Sequence, residues 1–454
     1  MSNTLMISVS GMRGLVGTDL TPELVARHAA ALGAWAKASG LPTVVLGRDA
    51  RTSGEMFSHA AMAGLMSVGV DVIDVGIAPT PTVQMAVEHH HAGAGLILTA
   101  SHNPIAWNAL KFVGPDGIFL DGEAGASVRA LAEQGPVRGG WDGIGTARRD
   151  TDAIERHLEA ILALPVLDVD AIRRRRFRVA LDCVRGAGGT TMPLLLERLG
   201  CHVDGIHLEV DGHFPREPEP IPEHLGELAA VTTASGADIG FAVDPDVDRL
   251  AVVDEQGRAI GEDYTLALAV RAVLSRQPRG GGTPVVVANL STSRVVEDAA
   301  LAHGARFVRA PVGEANVARE IVDQGAIIGG EGNGGVILPE LHVGRDAPLG
   351  VALILQYLAD RGEAVSAIVA AAPRYRIVKD KAPRGADLEA IYAGLLARFP
   401  DATPDDRDGL RLAWADRWVH VRPSGTEPII RFIAEAPTEE AARELIAASR
   451  SVLT

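Results

Sequence analysis

The segment TASHNP at 99–104 follows the apolar run GLILT. A serine at the carboxyl end of a parallel strand sits where α/β folds present ligands. Ser101 beside His102 pairs a nucleophile with a proton-handling group, and Lys111 adds a cation able to neutralise phosphate. The same residues also make a good polar turn, because Ser and Asn-Pro favour one, and the local chemistry leaves both readings open. DPDVDR at 244–249 follows the apolar run IGFAV. Asp244, Asp246 and Asp248 stand two residues apart, so a curled backbone can bring three carboxylates onto one hard cation that relieves their repulsion. With Glu255 they match the acidic register of an EF-hand loop, but Arg249 stands where that loop needs glycine, and the flanks are apolar strands. A Mg²⁺ site is therefore expected, in preference to an EF-hand or a solvated acidic turn.

Three further segments carry weaker signals. In RPSGTEPIIR at 422–431, Gly425 allows a sharp turn, Ser424 and Thr426 can donate to phosphate oxygens, and Arg422 and Arg431 add paired charge. The P-loop pattern is absent, and a plain β-turn is the alternative. In GGEGNGG at 329–335, Glu331 and Asn333 alternate and could face a sugar's hydroxyls together, although in isolation a flexible glycine-rich hinge is the preferred reading. In SGMRG at 10–14, glycines flanking Arg13 would let it approach a ligand closely, although a lone arginine in a glycine-rich turn is more often simply a surface residue. GRDAR at 47–51 is similarly ambiguous, since Asp49 can simply pair with a neighbouring arginine.

These loops need elements to hold them. Apolar runs at 43–46, 70–75, 95–99, 178–182, 239–243, 284–289 and 325–329 alternate with helical spacing such as that at 54–68. That alternation predicts α/β units with mostly parallel sheets. The rhythm occurs three times, over 1–150, 151–255 and 256–370, without the short fixed period of a solenoid. Residues 134–150, rich in glycine and charge, read as a linker. The tail, 371–454, differs, with strands at 375–380 and 418–421 and an Ala/Glu-rich helix at 438–452, which suggests a smaller α+β module. The arginine run at 173–176 reads as a solvated helix end rather than a phosphate or nucleic-acid patch.

Composition narrows the function classes. A chain of 454 residues suits two to four domains. With 47% hydrophobic and 22% charged residues, wholesale disorder is excluded. Only 4% are aromatic, which argues against a base-stacking surface. Lys plus Arg number 43 against 58 Asp plus Glu, a net charge of −15 that disfavours nucleic acid and anionic membranes as partners. A local arginine cluster can still hold an anionic substrate. Cys183 and Cys201 cannot form a disulfide framework and read as core thiols of a reducing compartment. The first residues lack a signal-peptide pattern and no apolar run is long enough to span a bilayer, so a soluble cytoplasmic protein is expected.

Together the segments resemble the α-D-phosphohexomutase family. SGMRG, GRDAR, TASHNP, DPDVDR, GEGNGG and RPSGTEP occur in that family's order and span nearly the whole chain. The resemblance implies three topologically similar α/β domains with mixed, mostly parallel sheets and a smaller C-terminal α+β domain around a central cleft. Their boundaries are expected at 1–150 with the phosphoserine loop, 151–255 with the metal loop, 256–370 with the sugar loop and 371–454 with the phosphate loop. It implies that Ser101 exchanges a phosphoryl group with the sugar, and that Asp244, Asp246 and Asp248 hold Mg²⁺ together with an oxygen of the phosphorylated Ser101. Arg422, Ser424, Gly425 and Thr426 would grip the non-reacting phosphate, helped by Arg431, while Glu331 and Asn333 read sugar hydroxyls. Arg13, His102, Lys111 and Arg249 would neutralise charge or handle protons.

The implied reaction interconverts hexose 6-phosphate and hexose 1-phosphate through a sugar bisphosphate. The sugar is glucosamine phosphate ahead of mannose or glucose phosphate. The expected partner is a phosphosugar, and a homodimer is allowed for. The chain departs from a common bacterial version of the family, which carries Ser and His where Asn333 and Gly335 stand here. His342, in PELHVGRD, is the nearby imidazole that could substitute or be structural. A serine-nucleophile phosphatase and a mutase-like regulator without turnover are the remoter readings.

Overall fold

A computed structural model describes residues 5–8, 11–277, 282–384, 387–424 and 429–453. Among them the strands form four sheets. The first has seven strands, in the order Met6–Ser8, Gly11–Leu15, Trp107–Val113, Ala94–Leu98, Thr43–Arg48, Asp71–Ile77 and Ala147–Arg149. The second has four, Leu250–Asp254, Ile239–Val243, Arg178–Asp182 and His202–Ile206. The third also has four, Gly335–Ile337, Ile328–Glu331, Val285–Asn289 and Arg306–Ala310.

These three sheets share one plan. A central strand, Thr43–Arg48, Arg178–Asp182 or Val285–Asn289, pairs in parallel with a strand on each side. The later of those neighbours then turns back as an antiparallel hairpin. The hairpin loops are 99–106, 244–249 and 332–334, so TASHNP, DPDVDR and the glycine-rich segment occupy equivalent places in three sheets. Strands Ala94–Leu98, Ile239–Val243 and Val285–Asn289 are buried throughout, which is why they read as unbroken apolar runs.

The fourth sheet is antiparallel, with five strands in the order Arg376–Pro383, Ile429–Ala436, Trp418–Pro423, Leu410–Ala413 and Thr403–Asp405. Helices Leu388–Arg398 and Glu439–Arg450 accompany it. Its strands alternate, with Ile430, Phe432 and Ala434 buried and Arg431 on the other face. The architecture is therefore three like α/β domains with mixed, mostly parallel sheets and a smaller C-terminal α+β domain.

One apolar core runs continuously from Leu158 and Val179 in the second unit to Val286 and Leu353 in the third. Helix Ala347–Arg361 fuses them. It starts after Asp346, whose carboxylate accepts from the Leu349 N–H, and it touches both Leu250–Asp254 and Gly335–Ile337. Each buried leucine along it contributes about 1.5–3 kcal/mol relative to exposure. The first and fourth sheets keep cores of their own.

Three sequence expectations change. Residues 134–150 are more than a linker: Ala147–Arg149 adds to Asp71–Ile77 in parallel, and the Gly139 and Gly145 N–H groups donate to Ser67 and Met66 carbonyls. The strand expected over 325–329 is Ile328–Glu331, because Gly325, at φ +57°, ends the preceding helix in the left-handed conformation. Cys183 is buried but Cys201 is partly exposed at a strand entrance, and neither is in a disulfide. The arginine run closes helix Val169–Arg175, with Arg173 Nε donating to the Arg198 carbonyl, as a solvated helix end would. No helix among the described residues is long and apolar enough to cross a membrane.

Candidate active site

The serine loop is shaped by a buried arginine. Arg51 pairs with Asp49 at 3.0 Å, and its guanidinium donates to the carbonyls of Ser101, Asn103, Pro104 and Trp107. Asp49 also accepts from Thr99 Oγ1 at 2.7 Å, and the Ser101 N–H donates to that same hydroxyl. GRDAR is thus the scaffold of TASHNP, and the simple pairing of Asp49 with an arginine is part of it. The staple holds Ser101 at φ +48°, a left-handed conformation that costs a non-glycine residue about 1–2 kcal/mol. Arg51→Ala is expected to lower stability by about 3–5 kcal/mol, the scale of breaking a buried ion pair. Chemical denaturation checks this, and an unchanged midpoint would show that the loop keeps its shape without the guanidinium.

In the metal loop, Val247 at φ +63° turns the chain so that Asp244, Asp246 and Asp248 converge, all fully buried. Their ligand atoms lie within 4.8 Å of one another. Ser101 Oγ donates to Asp244 Oδ2 at 2.7 Å. Asp246 Oδ2 accepts from Lys111 Nζ at 2.7 Å and from Thr80 Oγ1 at 2.8 Å. Asp248 Oδ2 accepts from Arg345 Nη2 at 2.6 Å. Asp246 Oδ1 and Asp248 Oδ1, by contrast, are buried without hydrogen-bond partners. Two orphaned carboxylate oxygens beside a third carboxylate and a serine hydroxyl fit a hard divalent cation. Burial, together with Asp246 and Asp248, pushes the Asp244 carboxyl well above the usual range. Burial acts the same way on Asp246, but Lys111 together with hydrogen bonds to Asp244 and Thr80 outweighs it and leaves that carboxyl low. A bound cation would relieve this conflict.

Above the loops lies a cavity of about 320 Å³. It gathers Arg13, Ser101, His102, Lys111, Arg249, Glu331 and Asn333 from three sheets. Arg13 Nη1 donates to Asn103 Oδ1 at 2.6 Å, and Arg249 Nη1 to Glu219 Oε1 at 3.2 Å. His102 Nδ1 lies 3.4 Å from Ser101 Oγ, and the charge of Arg249, then burial and Arg13, lower its pKa to about 2. The ring is therefore neutral, and positive charge in the cavity comes from the arginines and Lys111. Glu331 is held by Asn289 Nδ2 at 2.8 Å, the Gly313 N–H at 3.1 Å and Arg345 Nη1 at 2.9 Å. His342 faces elsewhere. Its Nε2 and that of His157 lie 3.0 and 2.7 Å from Asp346 Oδ2, and neither ring lines the cavity.

Of the C-terminal candidates, the described residues Arg422, Ser424 and Arg431 do not line that cavity. Arg422, Arg431 and Lys381 form a row of cross-strand neighbours on one face of the fourth sheet. Ser424 is buried, and its N–H donates to the Ile429 carbonyl. Gly425 and Thr426 lie outside the described residues. Asp408 links the two regions: it pairs with Arg422 at 3.0 Å and accepts at 3.0 Å from the N–H of Val312, which borders the cavity. The fourth sheet also docks on the third through Ser291 Oγ, 2.8 Å from His420 Nδ1, and through the Arg294 N–H, which donates to Glu435.

Profiles of phosphoglucomutase/phosphomannomutase domains match the chain in order. Alpha/beta/alpha domain I matches residues 5–136, domain II 155–257, domain III 261–375 and the C-terminal domain 375–451. The chain belongs to the phosphoglucomutase/phosphomannomutase family. A phosphoglucomutase/phosphomannomutase of Thermococcus kodakarensis is 42% identical over 96% of this chain and 95% of its own. A probable phosphoglucosamine mutase of Methanopyrus kandleri is 37% identical over the same shares, 96% and 95%. The crystal structure of a family protein from Burkholderia thailandensis matches with a TM-score of 0.85 at 27% identity, covering 100% of this chain and 97% of that one. Family membership makes the chain a phosphohexomutase, an isomerase working by phosphoryl transfer.

Several residues of this phosphohexomutase site escape sequence reasoning. Thr80, Glu314 and Arg345 stand in no conspicuous motif, and their partners are far away in the chain. The one local signal is for Arg345, which precedes an Asp-Ala-Pro helix start soon after the glycine-rich loop at 332–334.

Proposed function

We propose that this enzyme interconverts hexose 6-phosphate and hexose 1-phosphate, with glucosamine phosphate as its sugar. The observation that carries the reading is Ser101 Oγ, 2.7 Å from Asp244 Oδ2 at the floor of a cavity walled by Arg13, Lys111 and Arg249. A nucleophile, a hard-cation site and fixed positive charge are what phosphoryl transfer requires. Ser101 carries the phosphoryl group. A sugar hydroxyl oxygen bonds to phosphorus while the bond to Ser101 Oγ breaks, and the hydroxyl proton ends on Ser101 Oγ. His102 Nδ1, 3.4 Å from Oγ, would orient that oxygen. The resulting bisphosphate turns over, and its other phosphate returns to Ser101. Asp244, Asp246 and Asp248, with a phosphoserine oxygen, would hold Mg²⁺, which when bound neutralises charge on the transferred group.

Arg422, Ser424, Gly425, Thr426 and Arg431 would hold the phosphate that is not reacting, and the Lys381 ammonium beside Arg431 would add to their charge. Glu331 and Asn333 would orient the sugar. The fourth unit would close over the substrate to exclude water and open for its reorientation. We take 1–150, 151–255, 256–370 and 371–454 as the four domains. A phosphosugar does not cross a bilayer unaided, which suits a cytoplasmic enzyme.

The second reading, phosphomannomutase/phosphoglucomutase, is favoured by the 42% identical relative that bears that name, against 37% for the phosphoglucosamine mutase. ³¹P NMR with Mg²⁺ and a trace of the matching bisphosphate separates the readings, with glucosamine, glucose and mannose 6-phosphates offered separately. A 1-phosphate resonance that grows fastest from glucosamine 6-phosphate is the expected result. Fastest growth from glucose or mannose 6-phosphate would move the assignment to the second reading. Free phosphate alone would mean hydrolysis, and no change in any tube would overturn turnover itself.

A further inference from the structure

Arg345 lies on the floor of the cavity, 7% exposed, just before helix Ala347–Arg361. One guanidinium serves three carboxylates from three elements. Nη2 donates to Asp248 Oδ2 at 2.6 Å, Nε to Glu314 Oε2 at 3.0 Å and Nη1 to Glu331 Oε2 at 2.9 Å. Its backbone N–H donates to Glu314 Oε1 at 3.2 Å, so Glu314 braces the residue at both ends. Asp248 belongs to the metal loop and Glu331 opens the sugar loop. Arg345 is thus a direct side-chain bridge between them.

Two observations indicate what the bridge does. Asp248 Oδ1 is buried without a hydrogen-bond partner, so Arg345 occupies one oxygen of that carboxylate and leaves the other free to ligate. At Gly335, a Cβ would stand 2.2 Å from Arg345 Cδ and 2.8 Å from Cγ. Gly335 is not in the left-handed region, so its backbone does not require glycine. The space a side chain would need there is filled by the Arg345 stem, and that stem cannot swing away while three carboxylates hold its end. The bare position in the sugar loop and the arginine ten residues on are two halves of one arrangement.

We infer that Arg345 is a positioning residue that couples the metal loop to the sugar loop. The inference rests on the phosphohexomutase reading above. A guanidinium suits the task because its fork is rigid and permanently charged. A shift of Asp248 as a cation binds is transmitted through the fork to Glu331, and order in the sugar loop is returned to Asp248 by the same path. A lysine would keep the charge but would satisfy the carboxylates singly and without fixed angles.

The test uses Arg345→Lys and Gly335→Ala in the full chain. Mn²⁺ affinity is measured by calorimetry on unphosphorylated protein without substrate, then kcat and KM for the hexose phosphate at saturating Mg²⁺. Removing a partner of a metal ligand typically weakens metal binding about 10–100-fold. Arg345→Lys is expected to weaken Mn²⁺ by at least about tenfold and to keep KM raised about tenfold once the metal is saturating. Gly335→Ala is expected to reproduce both effects with Arg345 still present, with a lowered but still cooperative thermal melt, as overpacking against the Arg345 stem requires. If Arg345→Lys fails to fold, Gly335→Ala decides alone. Mn²⁺ affinity within twofold of the parent, or a KM that recovers fully at saturating metal, would overturn the coupling. A parent protein that binds no Mn²⁺ would overturn the metal reading with it, whereas a parent that binds and turns over beside unaffected variants would overturn the role of Arg345 alone.

Discussion

Replacing Ser101 with alanine is expected to abolish phosphoryl exchange while leaving the fold almost untouched. Loss of a nucleophile in a serine enzyme lowers kcat by about six orders of magnitude. The cost to folding should be near 1 kcal/mol, the net worth of one hydrogen bond. The reason is that most of the loop's support is not the serine side chain. Arg51 grips four carbonyls, including that of Ser101, and the Ser101 N–H is held by Thr99 Oγ1. Asp244 would lose the Oγ donor but keep the Asp248 and Arg249 N–H groups on Oδ1, each at 3.2 Å. The readouts are isomerisation followed by ³¹P NMR and intact mass after incubation with a hexose bisphosphate. The parent should gain one phosphate and the variant none. Turnover within tenfold of the parent would remove Ser101 from its role.

What the chain discloses in sequence follows from where its polarity lies. TASHNP and DPDVDR stand out because each is a polar loop hung on a fully buried apolar strand, a contrast visible without any structure. Their equivalence as the hairpin loops of like sheets is invisible, because the repetition is of strand order and not of residues. Arg51 is hidden for another reason: it acts on backbone carbonyls, and every residue offers one.

Arg345 and Asp248 are 97 residues apart, and only the shared core of the second and third sheets brings them together. Glu331 and Asn333 were legible as a pair at the cavity, but not the arginine that holds Glu331 or the glycine that makes room for it. At Gly325 a glycine before an apolar run closes the preceding helix, which moves the strand later. The described residues of the C-terminal motif belong to a separate antiparallel sheet, the smaller module expected over 371–454. Asp408, outside that motif, is what ties Arg422 to the cavity edge.

Asp246→Asn is the complementary case, in which charge rather than a nucleophile is removed. At limiting Mg²⁺ its activity is expected to fall by about a thousandfold or more. The metal-free protein should change little, because two effects oppose. Losing one carboxylate eases the repulsion that pushes Asp244 upward. Lys111, however, gives up its ion pair at 2.7 Å and keeps only Asp248, at 3.6 Å. The amide oxygen can still accept from Thr80 Oγ1, which holds the loop against the first sheet. The difference should therefore appear only when metal is added. A ligand at a hundred times its Kd stabilises a folded protein by about 2.7 kcal/mol. The parent should show that gain on adding Mg²⁺ and lose it to a chelator, and Asp246→Asn should show neither. Equal stabilisation of both proteins would mean that the cation binds elsewhere, and the orphaned oxygens of Asp246 and Asp248 would then need another occupant.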